Sequence, residues 1–254
     1  MRRFFSQTPL GGTRAVIGGQ EAAHMVRVLR LRPGDEVVLF DGSGDEWQAV
    51  VERVGRGEVE LSLKSQHRVD RESRCPIQIG VALPKGDRQR WLVEKAVELG
   101  VARLVALKSS RSVVEPSPAV VERLQRYVIE ASKQCGRNRL MQVDWQPDLS
   151  VFLQDAPSDA ARWFAHADPP SPGIEQCVSA LQQAPPRQIW AAVGPEGGWT
   201  PEEVRLAHQA GWQPVNLGPR TLRIETAVCV LATVASLIVP TTQVQTQPTD
   251  RKSP

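Results

Sequence analysis

Apolar and polar residues alternate in short runs through residues 1–72. Glu36-Val37-Val38-Leu39-Phe40, Trp47-Gln48-Ala49-Val50-Val51 and Val59-Glu60-Leu61-Ser62-Leu63 are three such runs. A two-residue period puts alternate side chains on one face of a strand. Asp41-Gly42-Ser43-Gly44-Asp45 separates the first two runs, and its glycines and aspartates predict a hairpin loop. Short strands at this spacing predict a small β-barrel. The stretch from His67 to Arg74 is polar and highly charged, so the domain boundary is placed there, with residues 1–72 as the first domain.

From Cys75 the rhythm becomes strand alternating with helix. Ile77 to Leu83 predicts a strand, Asp87 can cap a helix running to Leu99, and Gly100 stops it. Val101 to Leu107 predicts a second strand. Pro118 to Gln134 predicts a long helix with Val121, Leu124, Val128 and Ala131 on one face. Residues 155–186 are weakly patterned. Ile189 to Val193 predicts a short buried strand running straight into Gly194, and Val215 to Leu217 another. The last helix, about Glu225 to Val239, is apolar nearly all round and calls for burial by the core or by a partner subunit. Such alternation predicts an α/β domain with a parallel sheet over residues 73–240. The polar tail, residues 241–254, is expected to be disordered.

Composition narrows the class. With 254 residues, 41% of them hydrophobic, the chain can bury a real core and does not read as disordered. No apolar run reaches the roughly 20 residues a membrane span needs. Ala227 to Val239 comes nearest and is interrupted by Thr233 and Ser236. The MRRFF start lacks the apolar core of a signal peptide, so a cytoplasmic protein is expected. Cys75, Cys135, Cys177 and Cys229 are too far apart for a zinc knuckle or redox pair and read as free thiols. The four histidines form neither HxxxH nor HExxH, and no metal site is expected. The net charge of +3 is unevenly spread: zero over residues 1–72, +5 over 73–150 and −2 over 151–254. Arg supplies 25 of the 31 cations, which either suits phosphate binding and base stacking on RNA or reflects a high-GC genome that favours Arg everywhere.

Three stretches carry candidate chemistry. GPEGGWTPEE, Gly194 to Glu203, follows a buried strand, and Gly194, Gly197 and Gly198 allow main chain to approach a ligand closely. Thr200, Pro201 and Glu203 then form a capping-box pattern. Strand, glycine loop and helix in that order are either a ligand loop at a carboxyl sheet edge or an ordinary tight turn. LGPRTLRIETA, Leu217 to Ala227, sets a Gly-Pro turn, Arg220, Arg223 and Glu225 at the start of the last helix. They read as a site or as a helix-start charge with two surface arginines. KQCGRNRL, Lys133 to Leu140, places Arg137, Asn138 and Arg139 after Gly136, either to read RNA or as a solvated helix end. There is no P-loop, no GxGxxG after a strand and no GxSxG.

With these motifs in order, the sequence resembles the bacterial 16S ribosomal RNA uridine-N3 methyltransferase family of the SPOUT superfamily. The likeness runs from MRRFF through HMVRVLRLRPGD at His24 to Asp35, FDG at Phe40 to Gly42 and LPKGDRQRWLVEKAVELGV at Leu83 to Val101. It continues through EASKQCGRNR at Glu130 to Arg139 to GPEGG and LGPRTLRIETA. It implies an N-terminal PUA-like β-barrel and a C-terminal SPOUT α/β domain with a deep trefoil knot. It also implies a homodimer, S-adenosylmethionine as cofactor and 16S rRNA of the small ribosomal subunit as partner. By the same resemblance Gly194, Pro195, Glu196, Gly197, Gly198, Leu217, Gly218, Leu222 and Arg223 would line the cofactor pocket. Arg223, Glu225 and Arg137 are the candidate catalytic residues. Arg2, Arg3, Arg27, Arg30, Arg137, Asn138 and Arg139 are the candidates for RNA contact.

Overall fold

A computed structural model of the chain describes residues 1–166, 171–238 and 246–248, and separates into two compact units. The first holds Met1–Arg71, Ser132–Leu140 and the strand at 246–248; the second holds Glu72–Ala131 and the described residues from Met141 to Ile238.

In the first unit β1 (Arg2–Phe5) runs parallel to β3 (Glu36–Phe40). β3 pairs antiparallel with β4 (Asp45–Val54), and β4 with β5 (Glu58–Val69). The Asp41–Asp45 stretch joins β3 to β4, as its turn residues predict. β2 (Arg14–Gly18) lies along the first half of β5. No described pairing joins β1 to β2, so the sheet is a half-barrel and not a closed ring. Trp47, Ala49 and Val51 alternate inward from β4, and Val59, Leu61 and Leu63 from β5. Met25 joins this core from a π-helical turn, His24–Val28, that follows the short helix α1 (Gly19–Ala23). The expected disordered tail lies outside the described residues except at β12 (Thr246–Pro248), which pairs antiparallel with the end of β5.

One ion network ties the first unit together. The Arg3 guanidinium donates to Glu46 at 2.8 Å and also to the Asn138 side chain, and it lies 5.3 Å from the centre of the Phe40 ring. Asn138 donates to Glu46 at 3.1 Å, and Arg71 stands 3.7 Å from the same carboxylate. Lys133 pairs with Glu21 at 3.0 Å, and Glu21 also accepts the Phe5 backbone N–H at 3.0 Å. These links anchor Ser132–Leu140 on a sheet more than 80 residues away in sequence.

The second unit is a six-stranded parallel sheet. Its order is β11 (Gln213–Val215), β9 (Ala161–Ala165), β10 (Ile189–Val193), β6 (Ile77–Val81), β7 (Arg103–Leu107) and β8 (Gln142–Gln146). Every neighbouring pair is parallel. The connecting helices are α2 (Arg88–Glu98), α3 (Pro118–Cys135), α4 (Leu149–Asp155), α5 (Ile174–Gln183), α6 (Pro201–Gln209) and α7 (Ile224–Ile238). All five residues of β10 are buried, as a strand covered on both faces requires. On one face Phe152 packs tilted against Trp190 and Trp212. Gly80 makes room for it: a Cβ there would stand 2.6 Å from the Phe152 ring. α7 buries Ile224, Ala227, Val228, Leu231, Ala232, Ala235 and Ile238 and exposes Leu237. Val239, expected to end it, lies outside the described residues.

Asp87 precedes α2 as expected but makes no side-chain capping bond. Its torsions, φ −65° and ψ −16°, are already helical, whereas a capping carboxylate needs extended backbone to reach the next N–H groups. Besides β12, four strands and three helices lie where the pattern was weak or silent: β1, β2, β8, β9, α1, α4 and α5.

Burial pushes the Glu46 carboxyl up. Hydrogen bonds from Arg3 and Asn138, with the charges of Arg3 and Arg71, outweigh that and hold it below its ordinary 4.5. A carboxyl lowered by folding stabilises above its unfolded value, and that contribution disappears as pH falls through the folded value. The first unit is therefore expected to lose stability on acidification below about pH 4.5, and Glu46→Gln to be less stable at neutral pH with a shallower acid limb. Urea unfolding across a pH series checks this; parallel wild-type and variant curves would refute it.

Candidate functional site

The site follows from the parallel sheet. β6 and β10 are adjacent and in register, with Val81 opposite Val193, so their following loops leave the same carboxyl edge side by side. The Ala82 N–H donates to the Val193 carbonyl at 3.0 Å and carries the pairing one residue further. β10 then ends in Gly194. A Cβ at Gly194 would stand 2.9 Å from the Trp199 indole, so the loop folds its own tryptophan against bare backbone. Trp199 donates its ring N–H to the Ala165 carbonyl at the end of β9, at 3.0 Å. Gly198 adopts φ +69°, which an L side chain resists. Thr200 caps α6, and the capping box is complete: Glu203 N–H donates to the Thr200 hydroxyl, and Thr200 N–H to the Glu203 carboxylate.

Glu203 does more than cap. Its carboxylate accepts the Ser110 backbone N–H at 2.7 Å, the Thr200 N–H at 2.7 Å and the Thr200 hydroxyl at 3.1 Å. It is 6% exposed, so these bonds replace water. Ser110 belongs to the loop after β7, and the next residue, Arg111, donates to the Gly197 carbonyl at 2.6 Å. Two links thus hold the β7 loop against the glycine loop. At the second turn the Asn216 side chain accepts the Gly218 N–H at 2.9 Å, and Gly218 takes φ +119°.

Between these turns lies a pocket of about 290 Å³. Gly194, Pro195, Glu196, Gly197 and Gly198 line it from one side, and Leu217, Gly218 and Leu222 from the other. Eight of the nine residues expected there are therefore brought together, although the two turns are some twenty positions apart. The ninth, Arg223, is exposed and does not line the pocket; Arg220 does. Ile224 and Ala227 close the floor from α7, and Val193 and Val215 contribute from the strand ends. Arg111, Ala165, His166 and Trp199 also line it and were missed by the sequence reading. Trp199 had a signal, since it sits inside the glycine motif. Arg111 had none, because its loop meets the pocket only through the order of the sheet.

Glu225 is buried at the start of α7, and its Oε2 has no hydrogen-bond partner among the described residues. Arg137 and Asn138 are 4% and 2% exposed and belong to the first unit, as does Arg3, whose side chain is 14% exposed. Arg2, Arg27, Arg30 and Arg139 are exposed. Arg30 takes φ +53° just after the π-helical turn, and Arg2 donates to the Leu29 carbonyl at 3.2 Å. All four cysteines are free. Among the described residues no cluster of three His, Cys, Asp or Glu is placed to hold a metal.

A parallel sheet whose carboxyl edge carries such a pocket, walled by two glycine turns, apolar side chains and the charged Arg111, Glu196 and Arg220, defines an α/β protein with its ligand site at the strand ends. The RNA methyltransferase domain family matches residues 71–236 and the RNA methyltransferase PUA domain matches residues 17–64; the chain belongs to the RNA methyltransferase family. A Ribosomal RNA small subunit methyltransferase E from Synechocystis is 33% identical over 228 residues, covering 85% of this chain and 70% of that one. A Legionella pneumophila protein solved with the bound cofactor SAM superposes with a TM-score of 0.84 at 29% identity, over 92% of this chain and 96% of that one. A Ribosomal RNA small subunit methyltransferase E from Neisseria gonorrhoeae, solved bound to S-adenosyl methionine, superposes at 0.82 and 29% identity, over 94% and 98%.

Glu203→Ala removes a buried carboxylate and takes from the Ser110 and Thr200 N–H donors their charged acceptor. It is expected to cost about 1–3 kcal/mol of second-unit stability. Chemical denaturation measures this, and a cost within about 0.5 kcal/mol, the range of ordinary surface substitutions, would show that the two loops do not depend on the carboxylate.

Proposed function

We propose that the protein transfers a methyl group from S-adenosylmethionine to nitrogen 3 of a uridine in 16S ribosomal RNA of the small subunit. The observation that carries this is the meeting of two distant glycine turns, at residues 194–198 and 217–218, around one pocket. The pocket suits the cofactor's chemistry. Apolar side chains from Leu217, Leu222, Ile224 and Ala227 can take the faces of a purine, and exposed main chain its edge. Arg111 and Arg220 offer positive charge to the carboxylate of the amino-acid tail. A Cβ at Gly198 or Gly218 would meet no protein atom within 4 Å, so the torsions there, and not crowding, demand glycine.

When bound, S-adenosylmethionine supplies an electrophilic methyl group on a sulfonium. The protein has to present the uracil edge and manage its proton. Nitrogen 3 lies on the Watson–Crick edge and carries a proton at neutral pH, so the base must be unpaired. Arg223, exposed beside the pocket, is assigned to a uracil carbonyl, where it stabilises the charge that develops as the proton leaves. Glu225 is the acceptor assigned to that proton, since its Oε2 accepts no hydrogen bond among the described residues. Arg137, 4% exposed in the first unit, is the weaker candidate for the carbonyl, because it would have to be uncovered first. Phosphate contact is assigned to Arg2, Arg27, Arg30 and Arg139. The burial of Arg3 and Asn138, and their bonds to Glu46, give them a holding role. The resemblance to SPOUT enzymes further suggests a knotted second domain, and a cytoplasmic homodimer whose interface covers Leu237, 67% exposed on α7.

The test is incubation with labelled S-adenosylmethionine and unmodified small subunits, with naked 16S RNA in parallel, mapped by reverse transcription. Label in RNA with one strong stop at a uridine is expected, and Arg223→Ala should lower turnover about a hundredfold while the thermal midpoint holds. Transfer to transfer RNA alone would reassign the substrate. Cofactor binding without transfer to any RNA would leave an RNA-binding protein.

A further inference from the structure

Arg88 opens α2, at the end of the helix where its dipole disfavours a cation. The N-terminal end of a helix carries partial positive charge, and no acidic residue stands in the first turn of α2 to offset it. What Arg88 does instead is reach two carboxylates. One guanidinium nitrogen lies 2.9 Å from Glu196 Oε1, and the other lies 3.9 Å from Glu225 Oε2. Glu196 belongs to the glycine loop and lines the pocket; Glu225 opens α7, whose neighbours Ile224 and Ala227 line it from the other side. The arginine therefore spans the two walls.

Its backbone is fixed for the task. Arg88 follows the loop leaving β6, next to the loop leaving β10, so the parallel pairing of those strands sets its distance from Glu196. The next residue, Gln89, is 4% exposed, donates to the Pro84 carbonyl at 2.7 Å and accepts from Arg123 at 2.7 Å, which pins the turn into α2. The two contacts are unequal. The Glu196 contact is a full hydrogen bond between half-exposed partners, while Glu225, its side chain 9% exposed, receives only the charge. A buried carboxylate is costly without a counter-ion, and Arg88 is the cation the structure sets against it.

We propose that Arg88 is a positioning residue for the pocket: by bridging Glu196 and Glu225 it holds the glycine loop and the start of α7 at the separation the cofactor needs. This rests on the S-adenosylmethionine reading above. The bridge makes the two residues energetically coupled, so losses on Arg88 and Glu196 overlap and do not add.

Calorimetric titration of S-adenosylmethionine into wild type, Arg88→Gln, Arg88→Lys, Glu196→Gln and the Arg88→Gln/Glu196→Gln double variant tests it, with thermal unfolding of each. Arg88→Gln should weaken binding about tenfold with the melt little changed. Arg88→Lys should recover part of the affinity, and the double variant should bind like Arg88→Gln alone. Wild-type affinity in Arg88→Gln, or losses that add in the double variant, overturns the bridge. If Arg88→Gln melts far lower, the lysine variant decides: restored folding with affinity below wild type supports the bridge, and restoration of both to wild-type levels overturns it. A wild-type chain that binds no S-adenosylmethionine overturns the cofactor reading and the bridge together.

Discussion

Because β10 lies between β6 and β9 and runs parallel to both, every loop that builds the pocket leaves the same edge of the sheet. Parallel pairing forces the connections to cross over through helices, so functional loops from residues far apart in sequence collect at the carboxyl ends. The registers make this specific. Val81 opposite Val193 sets the α2 turn beside the glycine loop, and Val215 opposite Ala165 brings the Asn216–Gly218 turn beside the end of β9. Burial of all five β10 residues protects that register, because a slip of one residue would redirect every side chain.

Upon this edge a handful of polar links among the described residues join the loops. Glu203 alone accepts three hydrogen bonds and joins α6 to the loop after β7, and Trp199 joins the glycine loop to β9. Arg88 then bridges the glycine loop to α7. The pocket is thus held by backbone torsion and by ion pairs at its walls, and it is lined by main chain, apolar side chains and the charged Arg111, Glu196 and Arg220. A ligand that offers a flat ring and a charged tail is what such walls discriminate.

Sequence pattern made the local units legible. The β3–β4 hairpin, the strand–glycine loop–helix of residues 189–209 and the capping box at Thr200 each rest on residues close in sequence, where period and turn chemistry act directly. The two-residue period did not reveal β9, because Ala161–Ala165 carries no regular alternation. α5 was hidden in a segment rich in Ala and Gln. Long-range partners were beyond reach. Nothing near Arg3 or Asn138 in sequence reveals Glu46, so residues that looked free to touch RNA are committed to an internal network. Arg88 was silent for the same reason, since its meaning lies in a loop 108 positions away.

The most direct measurement is a crystal structure of the full chain grown with S-adenosylhomocysteine, the product that would remain after methyl transfer. Density for the nucleoside between the Gly194–Gly198 loop and the Leu217–Leu222 turn, with Arg88 still joined to Glu196, is the expected result. Density elsewhere on the chain, or an empty pocket at saturating ligand, would contradict the assignment of this edge as the cofactor site.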